Sequence, residues 1–200
     1  MSGRRCSKGN VRSMAPRFFI FTEGVTEEKY LNSFRRRGMA MSVLVIQAGN
    51  TDPRGIISYC ITELKLRGYG SVNGDRAAVV FDRDMNTSEN LAEAKRLAAE
   101  SGIEMFMSNP SFEFWLLLHY EDVRRCMCQD ELEELLTKII GHRYSKGEDL
   151  SKKITIEMIR TAIRRSERLL PNPEVDLCLS RCPSTMVHSL AKDLLSLSDT

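Results

Sequence analysis

The chain has 200 residues, with 29 lysines and arginines against 27 aspartates and glutamates, so its net charge of +2 gives no global field toward nucleic acid or membrane. Hydrophobic residues at 42% and charged residues at 28% exclude a disordered chain and predict a globular one, which at this length would bury roughly 70% of its unfolded surface. No apolar run reaches the roughly 18 residues of a membrane span.

The first 15 residues mix basic, Ser and Gly residues and read as a flexible basic arm. This start lacks the apolar core of a signal peptide, so the expected compartment is the cytoplasm. Residues 17–21 form a continuous apolar run, as expected of a strand buried on both faces of a parallel sheet. Thr22-Glu23-Gly24 turns the chain into a helix predicted to reach about residue 37. Glu27 and Glu28 lie in its first turn and Arg35 to Arg37 in its last, complementing the helix dipole. A β-branched strand over 42–47 precedes a helix over 54–67, with Pro53 suited to open it.

A third strand over 76–82 ends in Asp82-Arg83-Asp84. A helix over 88–100 stops at Gly102, and a fourth strand covers 103–107. Strands alternating with helices predict a four-stranded parallel sheet flanked by helices, here over 16–125. Beyond it, 126–200 reads as a helical C-terminal extension packed on that core, with helices over about 130–140, 155–169 and 184–197; a further helix spans 111–119. The six cysteines are irregularly spaced. They are expected to be free and reduced, and the spacings of Cys126, Cys128, Cys178 and Cys182 do not suit a structural zinc site.

In parallel sheets ligands bind beyond the carboxyl ends of the strands. Glu23, Asp82, Asp84 and Asn109 all fall there. Asp82 and Asp84 are two apart, so on an extended strand both carboxylates share a face and can reach one divalent cation. The plainer reading is a turn whose aspartates cap the next helix, but Asn86, Thr87 and Ser88 already offer caps. Glu23 before a glycine reads either as a surface turn residue or, after an apolar strand, as a ligand or general acid/base. Glu113 sits in an otherwise apolar first turn, where an unpaired charge is costly. His119, on the same helix, reads as a structural histidine or a proton carrier. Lys146, in a polar connector, reads as solvated or as a partner for phosphate.

Three segments together resemble the RloB-like family: Phe21-Thr22-Glu23-Gly24 with Thr26-Glu27, then Val80-Phe81-Asp82-Arg83-Asp84, then Ser108-Asn109-Pro110 with Phe112-Glu113, Trp115 and His119. Pro183-Ser184-Thr185 with His188 looks like that family's C-terminal segment. The resemblance implies a bacterial phage-defence protein, often encoded beside an ATPase, with a Toprim-like fold. In Toprim domains a Glu after the first strand and a later pair of aspartates form the metal site. The resemblance therefore implies a nuclease using Mg2+ or Mn2+ on DNA or RNA, with Glu23, Asp82, Asp84 and Glu113 as metal ligands. Glu23, Asp82, Asp84, His119 and Lys146 are then the candidate catalytic residues. A non-catalytic Toprim-like module that regulates a partner ATPase is the alternative. A phosphatase of haloacid-dehalogenase type, with Asp82 as nucleophile, is a third reading, although its motif normally ends the first strand. Homodimerisation stays open.

Overall fold

The computed structural model describes residues 15–49, 52–83 and 86–198. The expected basic arm therefore lies almost wholly outside the described residues, as does Asp84. The sheet has five strands in the order β2-β1-β3-β4-β5. They are β1 (Arg17–Thr22), β2 (Ser42–Gln47), β3 (Arg76–Asp82), β4 (Glu104–Asn109) and β5 (Ser184–Thr185). The first four run parallel, and β5 pairs with β4 in the antiparallel sense. The architecture is mixed α/β, as expected, with one strand more than the sequence pattern predicts.

The central position of β1 and β3 explains their composition. Each is flanked by strands on both edges and covered on both faces, so Phe18 to Phe21 and Ala77 to Phe81 are buried without alternation. Edge strand β2 buries only Val43 fully. The two-residue β5 is too short to leave a periodic signal, so the sequence pattern places the start of a helix there.

The helices are α1 (Val25–Asn32), α2 (Pro53–Leu66), α3 (Ser88–Ser101), α4 (Phe112–Leu117), α5 (Gln129–Ile140), α6 (Ile156–Leu169), α7 (Val175–Ser180) and α8 (Val187–Ser196). Helix α1 ends five residues earlier than expected. The Ser33 hydroxyl donates to the Tyr30 carbonyl at 2.6 Å, and the chain leaves the helix there. Helix α2 opens at Pro53 as predicted. Asp52 caps it by accepting from the Gly55 amide at 2.7 Å.

Asn109, at the carboxyl end of β4, has a structural role: its amide donates to the carbonyls of Cys178 and Arg181, at 3.0 and 2.8 Å, and so anchors the end of α7 and the turn after it to β4. The expectation that the cysteines are free is overturned. Cys126 and Cys182 form a disulfide, 56 residues apart in sequence, with Cα atoms 5.0 Å apart. Only the packing of the α4–α5 connector against the α7–β5 turn brings them within bridging range. Cys60 and Cys178 are buried thiols whose pKa values burial pushes up to about 12 and about 11. No described helix is long and apolar enough to cross a membrane.

Candidate active site

The chain passes from β1 through α1 to β2 on one side, then returns to place β3 on the other side of β1. The strand order thus reverses between β1 and β3. Crossovers leaving in opposite directions open a crevice at that point. Glu23 and Asp82 border this crevice. The register aligns Thr22 with Val80, and the Glu23 amide donates to the Val80 carbonyl at 3.1 Å. One Glu23 carboxylate oxygen, Oε2, accepts the Asp82 amide at 3.1 Å. Glu23 is therefore fixed against the end of β3 by hydrogen bonds from its own amide and to its carboxylate.

A cavity of about 440 Å³ opens above these strand ends, bordered by Glu23, Gly24, Thr26, Glu27, Lys29, Asp82, Glu113, Lys146 and Gly147. The fold therefore brings together four of the six residues singled out above: Glu23, Asp82, Glu113 and Lys146. Glu113 reaches the cavity from the first turn of α4, where it is 3% exposed. Its two carboxylate oxygens accept from the Tyr144 hydroxyl at 3.0 Å and the Ser111 hydroxyl at 2.8 Å. A buried carboxylate held by two hydroxyls has a fixed direction.

Lys146 arrives on the loop after α5. That loop is pinned to α1, because the Gly147 amide donates to the Thr26 hydroxyl at 2.8 Å and Lys29 Nζ donates to the Gly147 carbonyl at 2.6 Å. The connector that reads as a solvated stretch is in fact the wall of the cavity.

Glu27 is the residue that sequence reasoning missed. Its place in the first turn predicts an acid that complements the helix dipole, yet it is 5% exposed and faces the same cavity. Burial raises its pKa from 4.5 to about 7; the charges of Glu113 and Glu23 push the same way, while its own backbone amide and Lys146 oppose them. Gly24 makes this placement feasible. Its backbone is extended (φ −120°, ψ 173°), so glycine is needed for room and not for conformation. A Cβ at position 24 would lie 2.7 Å from Glu27 Oε2. The available signal was the spacing Glu23-Gly24-Val25-Thr26-Glu27: an acid one turn after the strand-end acid, behind a glycine.

His119 is not brought to the cavity. Its Nδ1 lies 3.0 Å from the Trp115 carbonyl and its Nε2 lies 2.9 Å from the Tyr30 hydroxyl. Since carbonyls only accept, Nδ1 carries the proton and Nε2 accepts from Tyr30. Burial pushes the pKa of His119 down to about 4, so the ring is neutral. It is a bolt between α1 and α4, surrounded by the edges of Tyr30 and Trp115.

The donors at the cavity are carboxylate oxygens, the type that hard divalent cations take. Among the described residues, no group of three or more His, Cys, Asp or Glu side chains sits close enough together to hold a metal ion. Asp84, the second acid of the Asp82-Arg83-Asp84 corner, lies outside the described residues.

Comparison with known proteins agrees with the sequence motifs. The model of the family described as RloB-like protein matches residues 18–194. No curated protein and no solved structure matches the chain. The match runs from the start of β1 to α8 and includes each acid of the cavity together with the Lys146 loop, so the chain belongs to the RloB-like family.

Proposed function

We propose that this protein is a metal-dependent nuclease of Toprim type, hydrolysing phosphodiester bonds of DNA or RNA in bacterial phage defence. The observation that carries this reading is the convergence of Glu23, Glu27, Asp82 and Glu113 with Lys29 and Lys146 on one cavity at the carboxyl ends of β1 and β3. A plain binding domain has no need of four acids at one strand-end crevice, whereas phosphoryl chemistry uses such acids and a cation together.

Glu23 and Asp82, with Asp84, would hold Mg2+ or Mn2+, and Glu113 borders the same space. Such an ion, when bound, supplies charge neutralisation on the phosphate and a bound water of lowered pKa. Lys146 and Lys29 offer ammonium groups to the non-bridging phosphate oxygens. Tyr144 and Ser111 keep Glu113 aimed into the cavity, and the Asp82 amide keeps Glu23 in place. His119 takes no part. The phosphatase alternative gives the Glu23 carboxylate no chemical part, and Asp82 ends β3 where that motif normally ends the first strand.

The test is cleavage of labelled plasmid DNA and tRNA with Mg2+ or Mn2+, comparing wild type with Asp82→Ala. Cleavage by the wild type that falls at least about a thousandfold in the variant supports the reading. Equal cleavage by both proteins refutes it. No cleavage by either, with a partner ATPase present as well as absent, would make the chain a regulatory module that keeps the fold without the reaction.

A further inference from the structure

A second concave feature lies on the far side of α1 from its site-bordering N-terminus. Two cavities, of about 300 and 360 Å³, share Arg160 and Leu195 and so form one trough along α6 and α8. Its floor is aliphatic: Ile154, Ile159, Ile163 and Leu195, with Ile156 at the mouth and 45% exposed. Its rim is cationic: Arg36 and Lys152 at one end, Arg160 in the middle, Arg164 and Lys192 at the other. Among the described residues, no Asp or Glu lines either cavity.

Three of the five cations have acidic neighbours behind the rim: Arg160 with Glu157, Lys192 with Glu167 and Lys152 with Asp149. The cation of each pair is exposed, so each pair is worth at most about 1 kcal/mol and can be exchanged for a pair with an incoming carboxylate. From Ile156 to Ile163 is two helical turns, about 10 Å along α6. An apolar surface running two turns from mouth to floor, with charge on its rim, matches one mode of recognition, an amphipathic helix laid into a groove. Single-stranded nucleic acid fits it poorly. Binding there relies on exposed aromatic rings for base stacking, and Phe34, the aromatic lining the trough, is buried.

We propose that this trough docks an acidic amphipathic helix of a partner protein. Apolar side chains spaced three and four apart would fill the aliphatic floor, and flanking Asp or Glu residues would meet Arg36, Lys152, Arg160, Arg164 and Lys192. This assignment is independent of the chemistry at the cavity above β1 and β3.

The probe is a displayed library of random peptides of roughly 16 residues, long enough for four helical turns. It is selected on the full chain and counter-selected on Arg160→Glu/Arg164→Glu. The expected winners carry acids flanking apolar residues at helical spacing. They bind wild type at least about tenfold tighter than the double variant. They also lose affinity to Ile156→Ser, an exposed change that leaves the core intact and guards against a misfolded charge variant. Three results would overturn the proposal. The first is peptides that do not discriminate between wild type and both variants. The second is a labelled single-stranded oligonucleotide that binds wild type and is lost in the double variant while no peptide is, marking a nucleic-acid face. The third is wild-type self-association in sedimentation that the double variant abolishes, marking an interface with a second copy.

Discussion

Glu27 shows how much a single carboxylate depends on its surroundings. On sequence it is a helix-start acid; in the fold it is buried beside Glu23 and Glu113, and its pKa rises from 4.5 to about 7. The unfolded chain then ionises near 4.5 while the folded chain holds its proton to about 7. Stability is therefore full at low pH and falls as pH rises through that window, by roughly 3 kcal/mol at pH 8. Glu27→Gln removes this dependence. Denaturant unfolding should find the variant more stable than wild type at pH 8, with the difference shrinking toward pH 5; a difference independent of pH would refute the assignment. Added Mg2+ should stabilise the wild type more at pH 8 than at pH 5, because it meets more ionised carboxylate. Gly24 is the companion case. Since φ at 24 is ordinary, Gly24→Ala should change stability by less than about 1 kcal/mol. The Cβ would displace the Glu27 carboxylate, and cleavage should fall roughly ten- to a hundredfold. A variant with wild-type rates would show that the position of Glu27 does not matter.

At the scale of elements, α4 and the loop after α5 do what neither segment reveals by pattern. Helix α4 is six residues long and buried throughout, so periodicity has nothing to report about its faces. Its orientation comes from His119, two residues past its end, which accepts from Tyr30 on α1 and donates to the Trp115 and Leu116 carbonyls of α4. His119→Ala should cost about 2–4 kcal/mol of stability, as expected for a buried hydrogen-bonded side chain. The depressed pKa adds a sign: the folded ring stays neutral to about 4, so stability is lost as pH falls from 6.5 toward 4, and the variant should lack that loss. The pH profile of cleavage by the folded variant should match wild type; a missing limb would return His119 to proton transfer. The loop was legible only as polar and basic. Its role comes from two bonds, Gly147 to Thr26 and Lys29 to Gly147, that close it over α1.

At the scale of the molecule, the C-terminal part is bound into the sheet by β5 and to the α4–α5 connector by the Cys126–Cys182 disulfide. A bridge across 56 residues restricts the unfolded chain by about 4 kcal/mol in the chain-entropy view. Dithiothreitol should therefore lower Tm in the wild type and leave Cys126→Ser/Cys182→Ser unmoved; equal response would show the bridge does not form in solution. The sequence by itself determined the four parallel strands, most helices and the strand-end acids Glu23 and Asp82, because uninterrupted apolar runs, caps and glycines are local signals. It also carried the family, through motifs that persist in linear order. Only the tertiary structure decided the strand order that sets β1 beside β3, the arrival of Glu27 and Lys146 at the cavity, the withdrawal of His119, the antiparallel β5 and the disulfide. Each of these depends on packing between segments far apart in the chain, and neither periodicity nor spacing encodes which distant faces will meet.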